Sequence, residues 1–197
     1  MSFGEDGSFG SSRAVRTFAK HYSSGGVLIA PPETAPSAMT SASLPKASLP
    51  SPATPRPEVI AAIHETALRY GGHATLRNLG ISLTEWSLLF QANIEIESRY
   101  NHSARSHVGA IGLGQLMPDT ARALGVDPLD LHQNLDGSAR YLLLMLERFG
   151  SMELALAGYN AGPEAVARHN GIPPYRETIG HVQKVMAVLN RLKGESV

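Results

Sequence analysis

The chain contains no cysteine. That absence removes disulfides, thiolate zinc sites and cysteine nucleophiles together, and it leaves the redox compartment unread. Net charge is absent too, because seventeen Lys and Arg balance seventeen Asp and Glu. With no basic excess there is no electrostatic footprint for a phosphate backbone, so nucleic acid is not an expected partner. No run approaches the roughly 20 apolar residues of a membrane-spanning helix, so no transmembrane segment is expected. Sustained strand alternation is also missing. Arg13, Arg16 and Lys20 precede the apolar run Val27 to Ala30, which imitates a secretory signal but falls short of the roughly 7 to 15 apolar residues that such a signal needs. His64-Glu65 is followed at position 68 by Leu, so the two-histidine zinc motif fails and no metal site is expected.

What the chain does contain is unevenly distributed. Pro31, Pro32, Pro36, Pro45, Pro50, Pro52, Pro55 and Pro57 are eight of its thirteen prolines, and between Pro31 and Pro55 the only charges are Glu33 and Lys46. Such a Pro/Ala/Ser-rich stretch cannot bury enough apolar surface to offset chain entropy. Residues 1–57 therefore read as a disordered tail or linker, and residues 58–197 as one domain. The domain reads as mainly α, with about seven helices. Pro57 suits the first turn of a helix that reaches Tyr70 and stops at Gly71-Gly72, after which a polar loop is expected. Ser82 and Glu85 have the spacing of a capping box ahead of a helix through Glu97. Further helices are expected from Pro118 to Leu124, from about Asp136 to Phe149, from Met152 to Tyr159, from Pro163 to Asn170, and from about Glu177 to Leu192.

Within the second helix Trp86, Leu89, Phe90, Asn93, Ile94 and Glu97 recur at spacings of three and four, which puts Glu97 on the aromatic face. Glu95 projects elsewhere and reads as a solvated charge. Trp86 reads as core, since it opens the apolar face. A carboxyl at the inner end of an apolar face is placed to act as a general acid, because burial disfavours its ionised form. The competing reading is a structural Glu97 paired with Arg99 or Arg105. Beyond it, Gly109, Gly112 and Gly114 let backbone approach a bound group, and Gln115 offers amide donors and an acceptor of the kind that sugar recognition uses. The glycine order matches neither the dinucleotide fingerprint nor the phosphate-loop motif.

Taken in order, these motifs resemble the soluble-type lytic transglycosylases, the goose-type-lysozyme-like enzymes that cleave bacterial peptidoglycan. The resemblance rests on Glu97-Ser98 with Asn101, Ala104, Ser106 and Gly109-Ala110, then Gly112-Leu113-Gly114-Gln115, Met117-Pro118 with Thr120-Ala121, Tyr159-Asn160-Ala161-Gly162, and Pro174-Tyr175 with Glu177-Thr178. It implies a lysozyme-like helical domain, a glycan-strand substrate and no cofactor. It also implies Glu97 as the catalytic acid, Ser106, Gln115, Tyr159 and Asn160 along the glycan groove, and Glu177 ordering the site from the last helix. Gly114 stands where the family has methionine, an exchange that implies the loss of an apolar sugar contact. Two other readings remain: a hydrolytic muramidase, or a weakly active wall-binding subunit of a secretion, conjugation or flagellar assembly addressed through the N-terminal tail. The substrate implies the periplasm or cell envelope, although no export signal is read.

Overall fold

The computed structural model describes residues 51–194, so residues 1–50 of the tail expected over 1–57, with its signal-like run, lie outside the described residues. Eight helices form among the described residues, with no strand: α1 (Pro57–Tyr70), α2 (Ala74–Asn78), α3 (Leu83–Ser98), α4 (Pro118–Leu124), α5 (Leu131–Phe149), α6 (Met152–Ala161), α7 (Pro163–His169) and α8 (Arg176–Lys193). The mainly α class read from the sequence is what forms.

Local chemistry explains most of the boundaries. Ser82 accepts a hydrogen bond from the Glu85 amide at 3.1 Å and starts α3. Asp130 and Ser151 do the same for α5 and α6 through the Gln133 and Leu154 amides. At the other ends Gly125 and Gly150 adopt φ of 69° and 70°, the left-handed cap that glycine reaches without a Cβ clash.

Two boundaries differ from expectation. The loop expected after Gly72 holds α2, whose first turn is capped by the His73 ring accepting from the Thr75 amide at 3.3 Å. α5 begins at Leu131 rather than near Asp136. Its first turns carry His132, Gln133 and Asn134, which hide the apolar rhythm although Asn134 is buried.

α3 packs on α8 and α1, α5 on α6 and α1, and α6 on α8 and α7. Trp86, Leu89, Phe90 and Ile94 of α3 are completely buried, together with Leu135 and Leu142 of α5, Leu156 of α6 and Val185 of α8. Trp86 stacks on Phe90 with ring centroids 5.6 Å apart and donates its indole N–H to the Ala67 carbonyl at 3.0 Å. That bond satisfies the one polar atom of a large core side chain. Trp86 is therefore core.

The surroundings of α3 also correct the reading of Glu95. Because α3 is covered on several sides, Glu95 is 3% exposed and not solvated. Arg191 of α8 donates to both of its oxygens, at 2.9 and 2.7 Å, Tyr100 donates at 2.8 Å, and the Ala53 amide approaches at 3.4 Å. This network ties α3, α8 and the segment before α1 together.

Candidate active site

α3 ends abruptly just after Glu97. Arg99 and Tyr100 both take left-handed φ, 52° and 64°, a conformation that costs a residue with a Cβ about 1 to 2 kcal/mol. Tyr100 is buried and holds Glu95, which offsets that strain and turns the chain sharply into the loop before α4.

The loop is built from backbone bonds and a few side chains. Ile111 and Leu116 exchange N–H to O bonds at 3.0 Å, and the Gly112 amide donates to Ala104 at 2.9 Å. Asn134 of α5 stitches it down: its amide donates to the Ile111 and Pro128 carbonyls, both at 2.9 Å, and its oxygen accepts from the Gly114 amide at 2.8 Å. The sequence reading missed Asn134, whose only clue was its place among the polar residues at the start of a helix.

The glycines serve this packing. A Cβ at Gly112 would lie 2.3 Å from the Asn134 amide nitrogen, and one at Gly114 would lie 1.8 Å from Ser138 Oγ and 2.9 Å from the Tyr159 hydroxyl. Gly114 therefore faces the interior, and the apolar sugar contact expected to be lost at this position does not belong to this backbone. Gly109 alone of the three opens on empty space, at φ +94°.

Loop, α3, α5, α6 and α8 enclose a groove of about 370 Å³. All six residues singled out from the sequence line it: Glu97, Ser106, Gln115, Tyr159, Asn160 and Glu177. Their polar atoms are largely committed to the fold. Ser106 accepts from the Ala110 amide at 2.9 Å, Gln115 donates to the Gly112 carbonyl at 2.8 Å, and Tyr159 donates to the Gly114 carbonyl at 2.8 Å. Asn160 accepts from Thr178 at 2.8 Å, which couples α6 to α8. Glu177 is exposed at the start of α8.

Glu97 is different. Its side chain is 13% exposed, and neither Arg99 nor Arg105 pairs with it among the described residues. Burial pushes its carboxyl up from 4.5 to about 8, and the Glu177 charge adds to the rise. It is therefore mostly protonated at neutral pH, the condition a general acid needs.

Facing it is His181, which sequence reasoning passed over. His181 Nε2 lies 3.7 Å from Glu97 Oε1, and the imidazole is 7% exposed. Burial, and then the charge of Lys184, hold its pKa down to about 4. Between about pH 4 and 8 both partners are mainly neutral, so the contact is not an ion pair. The signal was present: Glu177, His181 and Lys184 recur at helical spacing beside the apolar stripe of Val182, Val185, Met186 and Leu189. His107 also lines the groove, whereas His102 bonds locally to Ser103 and His64 to Gln91 on α3.

Comparison with known proteins gives a consistent answer. The family described as the transglycosylase SLT domain matches residues 83–179. The chain is 38% identical over 104 residues to a transglycosylase of Enterobacteria phage PRD1, covering 52% of this chain and 37% of that protein. It is 34% identical over 106 residues to membrane-bound lytic murein transglycosylase F of Desulfosudis oleivorans, covering 47% and 23%. Among solved structures it is similar to an inactive variant of lytic transglycosylase Slt from Pseudomonas aeruginosa, at a TM-score of 0.51 and 28% identity over 67% of this chain and 24% of that one. The chain thus spans well under half the length of these relatives. With the acid, the glycine loop and the final helix motif drawn into one groove, residues 83–179 belong to the transglycosylase SLT domain family, the domain they share with these lytic transglycosylases.

Proposed function

We propose that the protein cleaves the β-1,4 bond between N-acetylmuramic acid and N-acetylglucosamine in peptidoglycan and leaves a 1,6-anhydromuramyl end. One observation carries this reading: Glu97, buried and without a cationic partner among the described residues, lines a groove of about 370 Å³ together with the other polar residues of the family motifs. Protonated Glu97 gives its proton to the glycosidic oxygen as the bond to the anomeric carbon breaks, a role worth roughly 10² to 10⁴-fold in rate. The substrate's own N-acetyl group stabilises the cationic sugar. The Glu97 carboxylate then takes the proton of the muramyl C6 hydroxyl, whose oxygen closes the anhydro ring. Glu97 ends the cycle protonated, and no water enters.

A two-carboxylate glycosidase needs a second acid positioned for water or for covalent attack. The other carboxylate along the groove is Glu177, which is exposed and held at the start of α8 rather than buried beside Glu97. That arrangement favours the one-acid route over the hydrolytic one. The Pseudomonas relative supports an essential glutamate, since its inactive form replaces a glutamate by glutamine. With such a substrate the site of action is the cell envelope, and glycan strands are the partner. Among the described residues no helix is long and apolar enough to cross a membrane.

The test is mass spectrometry of purified cell walls digested by the protein. Anhydromuramyl ends are the expected product. Reducing ends alone would replace this reading with a hydrolytic muramidase, and intact walls would leave a wall-binding subunit.

A further inference from the structure

His181 Nε2 is buried and has no hydrogen-bond partner among the described residues. A buried polar atom left unpartnered is costly, about 1 to 3 kcal/mol, and calls for a reason. The atom is not remote from chemistry: it lies 3.7 Å from Glu97 Oε1, just beyond hydrogen-bond reach, on a helix packed directly against α3.

The other groups facing Glu97 are less suited to answer a change in its charge. Glu177 would repel a carboxylate. Tyr159 and Tyr141 direct their hydroxyls to the Gly114 and Gly158 carbonyls, at 2.8 and 3.5 Å. Lys184 and His107 line the groove, Lys184 three residues along α8 from His181 and His107 exposed on the loop. Neither makes a hydrogen bond or ion pair with Glu97 among the described residues.

We propose that His181 is a positioning residue whose Nε2–H is held in reserve for the Glu97 carboxylate, and that it donates a hydrogen bond once Glu97 has given its proton to the glycosidic oxygen. The inference rests on the acid role assigned to Glu97. No proton leaves the imidazole. His181 keeps its N–H throughout, the departing proton goes from Glu97 to the leaving sugar, and the carboxylate recovers one from the C6 hydroxyl. Because burial holds the imidazole neutral above about pH 4, it offers a donor without adding a charge that would ionise Glu97 too early. A cation at the same place would stabilise the carboxylate in the resting enzyme and spend the acid before substrate arrives. The spare distance has the same effect, since the bond shortens only when charge appears. Hydrogen bonds to charged groups are about twice as strong as neutral ones, so the interaction favours the discharged state over the resting one, as catalysis requires.

The experiment titrates Glu97 in the full chain by ¹³C NMR of labelled glutamate side chains, with Glu97→Gln assigning the signal, and it needs no turnover. His181→Phe keeps the burial and removes the donor, and His181→Gln restores one. Circular dichroism confirms that both variants are folded. The expected result is that Glu97 titrates about one unit higher in the Phe variant and close to the parent in the Gln variant. In parallel, kcat on cell walls falls about 10-fold for Phe with KM little changed, and the alkaline limb of the pH profile moves up. An unchanged titration overturns the proposal by making His181 a packing residue. A lowered titration overturns it by showing that Nε2 accepts the Glu97 proton instead of donating. If the titration shifts as stated but the parent releases no product, the reaction assigned above fails and the contact stands.

Discussion

Glu95 and Glu97 are the same residue type, two positions apart on one helix and both largely out of solvent, yet they have opposite electrostatic lives. Glu95 is wrapped: Arg191 takes both oxygens, Tyr100 adds a third bond, and the Ala53 amide closes the shell. Glu97 has a neutral imidazole at 3.7 Å and an acidic neighbour across the groove. Burial penalises charge in both places, but only the first carries donors that reverse the penalty. Depth alone does not decide how a buried carboxyl is held. The decision lies with the partners that α8 supplies, Arg191 to one carboxylate and His181 to the other.

The largest effect expected is on activity. Glu97→Gln, which keeps shape and removes the transferable proton, lowers release of soluble fragments from cell walls by about 10² to 10⁴-fold, while the circular dichroism spectrum stays that of the parent. Substantial residual lysis would break the distinction between the two carboxylates. On the other side, Arg191→Met strips Glu95 of its counter-ion and leaves a buried charge. A loss of about 3 kcal/mol in urea unfolding is expected, with cleavage per folded molecule retained at low temperature. If stability holds and cleavage falls, Glu95 belongs to the reaction after all.

The pH response separates them further. Glu97 is raised in the folded state from 4.5 to about 8, so its favourable proton-linked contribution is complete below pH 4.5 and disappears as pH climbs through 8. The parent should therefore lose about 2 kcal/mol or more relative to Glu97→Gln between pH 5 and 8, read as diverging urea midpoints. Parallel curves would mean that the carboxyl is better solvated than its burial implies. The smallest change is at Tyr100→Phe, which deletes one bond to Glu95 at 2.8 Å. It should cost about 1 to 2 kcal/mol and leave the pH optimum where it was.

How much of this was readable depended on range along the chain. Features set within a turn or two were legible: the Ser82 cap, the left-handed ends at Gly125 and Gly150, and the proline starts of α1, α4 and α7. The lining residues were legible through ordered motifs rather than through any physical pattern of their own. Glu95 was not, because its partner Arg191 stands 96 positions later, and helical periodicity cannot show a helix buried on more than one side. His181 escaped for a related reason: beside an apolar stripe it looks like an ordinary polar position until α8 is laid against α3. α2 was hidden by its brevity and by an imidazole cap where Ser, Thr, Asp or Asn is the usual signal. The glycine loop was legible as a loop but misread in direction, since Gly112 and Gly114 make room for Asn134, Ser138 and Tyr159 and not for a ligand.

That interlock has an evolutionary side. Position 114 has no volume to spare while Ser138 stands opposite it, so a side chain introduced there alone would be an overpacked intermediate, about 1 to 3 kcal/mol worse than either neighbour in sequence space. A lineage that exchanges methionine and glycine at 114 must change position 138 before it or with it. The two sites, 24 residues apart on a loop and a helix, are coupled, so randomising them together reaches pairs that randomising either one alone penalises.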